Sequence, residues 1–172
     1  EDILKLYGNI NIENAKEYIH LEYFIIKNSD IGIKIKDLLI KKAKSGVKVK
    51  ILYDDVGCWR FWFHRKFFND MKKVGIQISA FLPATFPFIG GKLNYRNHRK
   101  IVVLDGKISY VGGFNIRDDH FGYDKKLKPW KDCATRIVGN ATYALADIFL
   151  NDWCYAKKEN LNKKAINFYF PK

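Results

Sequence analysis

The fold is decided around residues 97–115, which read NHRKIVVLDGKISYVGGFN. Two short apolar runs, at 99–104 and 107–111, flank Asp105-Gly106, and such a pair is the strongest short-range signal for a β-hairpin. Side chains alternate between the two faces of a strand, so we expect His98 and Lys100 to project from the same side. The hairpin would also return Asn115 to the start of its first strand. We therefore predict a hairpin whose open end could bind one phosphate group.

The pattern on either side of this hairpin alternates strands and helices. The predicted strands are residues 19–27, 47–53, 76–82, 99–104, 107–111 and 133–138. The predicted helices are residues 31–44, with a cap in 28–30, residues 60–74, and residues 140–157, with Asn140 as cap and with Ala141, Ala144, Leu145, Ile148 and Phe149 on one face. Because the first five elements run β-α-β-α-β, they favour parallel strands joined by helical crossovers. We predict an α/β fold with a mixed, largely parallel β-sheet flanked by helices.

Composition limits the class of partner. The chain has 172 residues with 48% apolar content, which is enough for one domain with a full core, and its formal net charge is +13. This charge favours nucleic acid, an acidic membrane surface or phosphorylated substrates, although a basic surface that serves only solubility is the simpler alternative. We expect residues 1–158 to form the domain and the Lys- and Asn-rich residues 159–172 to form a linker. Because Glu1 is not an initiator methionine, we expect the chain to be a piece of a longer protein.

Cysteine usage and hydropathy exclude other classes. The three cysteines lie far apart in the sequence without a Cys-x-x-Cys pair, so they indicate neither a zinc ribbon nor a disulfide framework, and a reducing compartment fits best. No apolar run reaches the roughly 18 residues of a spanning helix, and no signal peptide is visible. We expect contact of this chain with a membrane to be peripheral.

Only one of the four histidines lies in a pattern suited to catalysis. His20 lies within an apolar strand and is interpreted as structural or exposed at an edge, and His120 lies in a loop without a partner at metal-ligand spacing. His64 begins a second His-Arg-Lys triplet, but it falls on a predicted helix, where residues two apart point in different directions. No Gly-Gly-x-Asn follows that triplet, so we interpret it as a solvated basic face. His98 is the remaining candidate.

The residues near His98 suit attack on a phosphodiester. His98 offers a nucleophilic nitrogen, Lys100 a positive charge, Asn115 an amide donor, and Gly112-Gly113 a backbone that a ligand can approach closely. Catalysis of such an attack depends mostly on positioning and on stabilising charge on the phosphoryl oxygens.

Two carboxylate roles are predicted around this group. Asp105 lies at the hairpin turn, so its better interpretation is structural, with its carboxylate binding turn amides. A nucleophilic histidine also needs a partner for its other ring nitrogen. The candidates are Asp118, Asp119, Asp124 and Asp132. We favour Asp132, because it directly precedes a predicted strand, although a surface aspartate at a strand start is the alternative.

The spacing His98-x-Lys100, Asp105, Gly112-Gly113-x-Asn115 resembles the HKD motif of the phospholipase D superfamily. The segments at 93–100, 112–116 and 129–132 are similar to the first catalytic half of bacterial cardiolipin synthases, and the likeness extends over roughly residues 15–160. Residues 169–171 resemble the link into the second half. The resemblance implies a phospholipase D-like sandwich in which His98 forms a covalent phosphohistidine with the phosphatidyl group of one phosphatidylglycerol, releasing glycerol, and a second phosphatidylglycerol accepts the group. It implies no metal and no other cofactor.

The same resemblance assigns roles and partners. Lys100, Asn115 and Gly113 would bind the phosphate, and Asp132 would orient His98. The family carries two such motifs and usually has N-terminal membrane helices, whereas this chain has one motif and no such helix. The implied partners are therefore phosphatidylglycerol, a membrane surface, and a second half from the same protein or from a second chain; the implied location is the cytoplasmic face of a bacterial cell membrane, with this chain itself soluble.

Two other functions remain open from the sequence. A homodimeric phospholipase D-type nuclease would agree with the charge and the single motif, but such nucleases usually have Gly-Ser in place of Gly112-Gly113 and lack the Asn-Tyr-Arg-Asn context, so nucleic acid is the less favoured partner. An inactive lipid-binding domain is the non-enzymatic alternative. The aromatic and basic residues 59–68 fit either a membrane interface or a helix core. The loop 83–91 would either touch lipid or only cover the site.

Overall fold

The computed structural model describes residues 12–58, 65–83, 95–121 and 132–171. One six-stranded sheet lies at its centre, with the strand order β3-β2-β1-β4-β5-β6. The strands are β1 Tyr18–Tyr23, β2 Lys48–Asp54, β3 Gln77–Phe81, β4 Lys100–Leu104, β5 Ile108–Gly112 and β6 Ala134–Val138. The helices are α1 Asp30–Lys44, α2 Arg65–Lys73, α3 Thr142–Lys157 and α4 Lys163–Tyr169, with a short 3₁₀ helix at Asp118–Phe121.

The sheet is mixed, as predicted, but it is not largely parallel, because three of the five pairings between its described strands are antiparallel. Strands β1, β2 and β3 run parallel, whereas β4 pairs with β1, β5 with β4, and β6 with β5 in the antiparallel sense. The parallel part is thus confined to the first three strands. This topology brings the carboxyl ends of β1, β2, β3 and β5 and the amino ends of β4 and β6 to one edge, which we call the upper edge; the opposite one is the lower edge.

The Asp-Gly hairpin forms as predicted. Asp105 and Gly106 both have positive φ, 53° and 64°, and Lys107 N donates to Leu104 O at 3.0 Å, as in a type I′ turn. The strand pairing then resumes with Leu104 opposite Ile108. The Asp105 carboxylate accepts hydrogen bonds from the backbone N–H groups of residues 16, 17 and 18 at 2.7, 2.9 and 2.8 Å. It therefore joins the turn to the entry into β1, rather than binding the amides of its own turn.

Each face of the sheet buries its own apolar cluster. The larger cluster lies under α1 and α2 and includes Ile35, Leu39 and Met71. Phe67 and Phe68, which the sequence left between a membrane role and a core role, are 4% and 6% exposed in this cluster. The other part of that stretch, 59–64, lies outside the described residues, as does 84–91 of the loop predicted to touch lipid or cover the site.

Helix α3 differs from its prediction in cap and in face. Ala141 occupies the N-cap position, because the turn at Gly139 (φ +91°) delays the helix, so Asn140 is not the cap. The buried residues are Thr142, Ala146, Phe149, Leu150 and Trp153. The predicted face was wrong at Ala141, Ala144 and Ile148, which are exposed. The larger Phe149, Leu150 and Trp153 form the stripe that covers the sheet instead.

Residues 159–172 contain more structure than a linker requires. Asn162 caps α4 by accepting a hydrogen bond from Ala165 N at 2.9 Å, and Tyr169 is 5% exposed against the rings of Tyr18 and His20. That this segment leads into a second half stays a prediction. Among the described residues no helix has the length and apolar content needed to cross a bilayer.

Candidate active site

The centre of the site is the His98–Lys100 pair at the upper edge. His98 is exposed and lies two residues before β4, and Lys100, only 4% exposed, is the first residue of that strand. The Lys100 ammonium donates to the His98 carbonyl at 2.6 Å and lies 2.9 Å from His98 Nδ1. The structure thus brings together the two groups that the spacing predicted on one side.

Both members of the pair have lowered pKa values. Although His98 is exposed, partial desolvation of its ring by the surrounding protein lowers its pKa most, the Lys100 ammonium lowers it further, and the Asp54 carboxylate opposes the shift. Burial also lowers the pKa of Lys100, and Asp132 opposes that change. Since a lower pKa favours the uncharged imidazole, the site presents His98 in the form that a nucleophile requires.

Asn115 is placed by the segment that follows β5. It is 5% exposed, and its Oδ1 accepts a hydrogen bond from Ile25 N at 3.0 Å. Its backbone N–H donates to His120 Nδ1 at 3.3 Å, which gives a positioning role to a histidine that the sequence left without a partner. The bond to Oδ1 fixes the orientation of the side-chain amide. Its two Nδ2 hydrogens have no acceptor within the described residues, so they can donate to a ligand.

Asp132 lies beside Gly113, just before β6, and its Oδ1 accepts a hydrogen bond from Cys133 N at 2.8 Å. Its carboxylate lies over this glycine so closely that a Cβ there would come 2.0 Å from Oδ1. At Gly112 a Cβ would come 2.5 Å from the Cys133 carbonyl oxygen. The sequence suggested that the Gly-Gly pair would let a ligand approach the backbone. In the structure the two glycines instead allow close approach of Asp132 and the segment that follows it.

The other carboxylate candidates have different tasks in the described structure. Asp118 accepts hydrogen bonds from Asp30 N at 3.2 Å and Ile31 N at 3.0 Å, so it caps α1 from outside the helix. Asp119 forms an ion pair with Arg117. Asp124 lies outside the described residues. Asp105 lies at the other end of β4, roughly 15 Å along the strand from Lys100, so the structure does not bring it to this group.

The sequence reasoning missed Asp54, which ends β2 and is fully buried. Its carboxylate accepts hydrogen bonds from Asn97 N at 3.0 Å and from Val56 N and Gly57 N at 3.0 and 2.9 Å. It thereby fixes the segment just before His98 to the end of β2. A carboxylate that directly follows an apolar strand is the signal that could have identified it.

Glu22, on β1, was missed as well. It is 2% exposed and accepts a hydrogen bond from Asn97 Nδ2. Burial and then the neighbouring Asp152 carboxylate raise the pKa of Glu22 to about 9, so it is protonated at neutral pH. An acidic residue inside an otherwise apolar strand is the sequence signal for it. In the described ranges no group of three or more His, Cys, Asp or Glu side chains could hold a metal ion.

Known proteins resemble this chain over most of its length. Residues 10–128 match the family described as cardiolipin synthase, PLD-like domain. A cardiolipin synthase from Halalkalibacterium halodurans is 42% identical over 151 residues, which cover 88% of this chain and 30% of the relative. Cardiolipin synthase 1 from Bacillus cereus is 46% identical over 145 residues, which cover 84% of this chain and 28% of the relative. The chain thus spans less than a third of the length of these relatives.

A solved structure shares the fold. Nuc from Salmonella typhimurium, a phospholipase D family member, superposes with a TM-score of 0.54 at 22% identity, covering 87% of this chain and 83% of that one. Asp132 lies just beyond the segment that matches the family, whereas His98, Lys100, Gly113 and Asn115 lie inside it.

Proposed function

The chain belongs to the PLD-like domain family of cardiolipin synthases, and we propose that it is one catalytic half of a phosphatidyltransferase that condenses two phosphatidylglycerol molecules to cardiolipin and glycerol. The observation that supports the proposal is the contact of Lys100 with His98 at the upper edge, where Asn115 and Asp132 also lie. Relatives named cardiolipin synthase support the substrate class.

In the first step, the phosphate of phosphatidylglycerol lies against Lys100 Nζ and Asn115 Nδ2. Lys100 turns from the imidazole to the phosphate, and the Asp132 carboxylate accepts a hydrogen bond from the N–H of the imidazole nitrogen that does not react. The other nitrogen of His98 attacks phosphorus, and the bond from phosphorus to the glycerol oxygen breaks. An acid of the second half supplies the proton that the departing glycerol takes, and the phosphatidyl group stays on His98.

In the second step, a hydroxyl group of another phosphatidylglycerol gives its proton to the same group of the second half and attacks phosphorus. Cardiolipin leaves and His98 is restored. The second half follows the segment 159–172 in the same protein or comes from a second chain. The reaction takes place at a membrane surface, because the acceptor and the donor are both lipids, and the bacterial relatives support the cytoplasmic face of a bacterial membrane as the proposed location.

The test is transfer by the intact protein on phosphatidylglycerol vesicles. His98→Ala should abolish cardiolipin formation, and an acid-labile phosphatidyl adduct on His98 should be trapped in the wild type and not in the variant. His64→Ala is the matched control, because His64 begins the same His-Arg-Lys triplet without the rest of the motif. Cardiolipin formation that survives His98→Ala would rule out the proposed chemistry.

A homodimeric nuclease is the second candidate, and the net charge of +13 favours it. It predicts a stable dimer that cleaves plasmid DNA without added metal. Cleavage of plasmid DNA by a protein that transfers no lipid would favour the nuclease over the phosphatidyltransferase. The third candidate is an inactive lipid-binding domain. It is supported if no phosphohistidine can be trapped in any protein that contains both halves.

A further inference from the structure

A cavity of about 750 Å³ lies away from the candidate active site, between the lower ends of β2 and β3 and the connection from α3 to α4. Lys50 lies in its wall, four residues and thus roughly 13 Å along β2 from Asp54 at the upper edge. We call it the lysine cavity, since its cationic lining consists of Lys48, Lys50, Lys72 and Lys157.

The charge of the lysine cavity is one-sided. Glu159 is the one acidic residue in the described lining, and its carboxylate accepts a hydrogen bond from Trp153 Nε1 at 3.0 Å. Within the described part of the chain, none of the four lysines forms an ion pair or a side-chain hydrogen bond. Four cations thus surround a space with one carboxylate, and their N–H groups have no hydrogen-bond acceptor among the described residues.

Aromatic rings hold two of these lysines in place. The Lys50 ammonium lies 4.9 Å from the centre of the Trp153 ring and 5.4 Å from that of Tyr169. The Lys48 ammonium lies 3.9 Å from the centre of the Phe168 ring. A ring face attracts a cation but accepts its N–H groups only weakly, so these contacts fix the ammonium groups and leave most donors for an anion.

Lys50 is the group that an anion would stabilise most. It is half-buried, and burial lowers its pKa, with Glu159 opposing the change. A bound anion would replace the lost hydration of this ammonium. The cavity volume also falls in the range of small-molecule sites, roughly 300–1,000 Å³.

We propose that the lysine cavity binds a phosphate group, carried by either a phospholipid headgroup or a small soluble phosphate ester. Several lysine donors suit the several oxygens of one phosphate, which lysine binds as a point charge. This site is independent of the proposed transfer reaction, because it lies away from His98 and shares no residue with the candidate active site.

Residue-resolved lysine acetylation of the intact protein, read by mass spectrometry, tests the proposal. Inorganic phosphate, glycerol 3-phosphate, and vesicles of phosphatidylglycerol or phosphatidylcholine are the probes. Lys50 should be protected by at least one phosphate probe but not by phosphatidylcholine vesicles, and the exposed Lys107 on the β4–β5 turn should not be protected. Protection by glycerol 3-phosphate indicates a soluble ester, and protection by phosphatidylglycerol vesicles alone indicates a lipid headgroup. Absence of protection by every phosphate probe overturns the proposal.

Variants separate the lysine cavity from the candidate active site. In a Lys100→Met background, calorimetric affinity for the protecting probe should be retained, and adding Lys50→Met, which keeps the apolar stem, should weaken it roughly tenfold. Lys50→Arg should retain binding, and Lys107→Met is the control for loss of one charge. If Lys50→Met does not fold, Lys72→Met at the exposed rim should weaken binding in the same direction. Affinity unchanged in a folded Lys50→Met variant would refute the site, whatever becomes of the transfer reaction.

Discussion

At His98 a buried ammonium lies 2.9 Å from imidazole Nδ1, and this single contact affects both the charge and the reactivity of the histidine. We expect Lys100→Met to raise the pKa of His98, because the variant removes a cation that disfavours the imidazolium. We also expect transfer activity to fall roughly 10² to 10³-fold, since one charged donor to the phosphoryl oxygens is lost. An NMR titration of the His98 ring measures the first effect.

Lys107→Met is the control for this titration, because Lys107 lies exposed at the turn between β4 and β5. Its substitution should leave the His98 pKa unchanged. A His98 pKa that is unchanged or lower in Lys100→Met would contradict the interpretation of the pair.

Glu22 makes the stability of the protein depend on pH. Its pKa is raised from 4.5 to about 9, so between these values the folded state keeps a proton that the unfolded state has lost. The free energy of unfolding therefore decreases as the pH rises from 4.5 to about 9, and below pH 4.5 the protonated Glu22 no longer reduces it. Glu22→Gln mimics the protonated form and can still accept from Asn97 Nδ2. We expect Glu22→Gln to be more stable than the wild type by roughly 2 to 3 kcal/mol at pH 7 and equal to it near pH 4.

Urea unfolding at several pH values measures this difference. The exposed Glu17, just before β1, provides the matched control, and Glu17→Gln should show no comparable gain. A Glu22→Gln variant that is less stable than the wild type at pH 7 would mean that Glu22 is ionised in the folded state.

Among the elements, the hairpin β4–β5 depends on one carboxylate to join the entry of β1. Asp105→Asn keeps a residue type that tolerates positive φ, but it removes the charge and one acceptor oxygen from three backbone N–H groups. We expect it to reduce the free energy of unfolding by about 2 to 4 kcal/mol, measured by thermal or urea denaturation. Lys107→Ala, in the same turn, should change stability by less than about 0.5 kcal/mol. Equal losses in the two variants would contradict the anchoring role.

The end of β5 and the start of β6 are coupled through Gly113. Gly113→Ala would place a methyl group where the Asp132 carboxylate lies, so the carboxylate must move. If Asp132 orients His98, a displacement of about 1 Å should reduce the transfer rate roughly 10²-fold. Because both substitutions act on one contact, Gly113→Ala combined with Asp132→Ala should be no slower than Asp132→Ala alone. Additive losses in the double variant would show that the glycine acts by another route.

Over the whole molecule, local signals predict elements well and the site only in part. The hairpin and the start of α1 are predictable because Asp105-Gly106 and the cap Ser29, which accepts from Gly32 N, act within a few residues. Asn97 instead contacts Asp54 and Glu22, which lie 43 and 75 positions earlier in the chain. These residues meet at the upper edge only because β1 is placed between β2 and β4. The face of α3 was misjudged because the buried stripe depends on which large side chains meet the sheet, a property that periodicity alone does not determine.

The proposed function makes the acid limb of the protein's pH–rate profile depend on one residue of this chain, His98. Attack requires neutral His98 and departure of glycerol requires a protonated acid in the second half, so kcat/KM on phosphatidylglycerol vesicles should be bell-shaped between about pH 5 and pH 9. Burial and Lys100 lower the pKa of His98, which places the acid limb below the ordinary histidine value of about 6.5. In Lys100→Met the acid limb should move to higher pH, while the alkaline limb, which belongs to the other half, should stay. A flat profile, or a shift of the alkaline limb alone, would mean that His98 is not the group whose deprotonation starts the reaction.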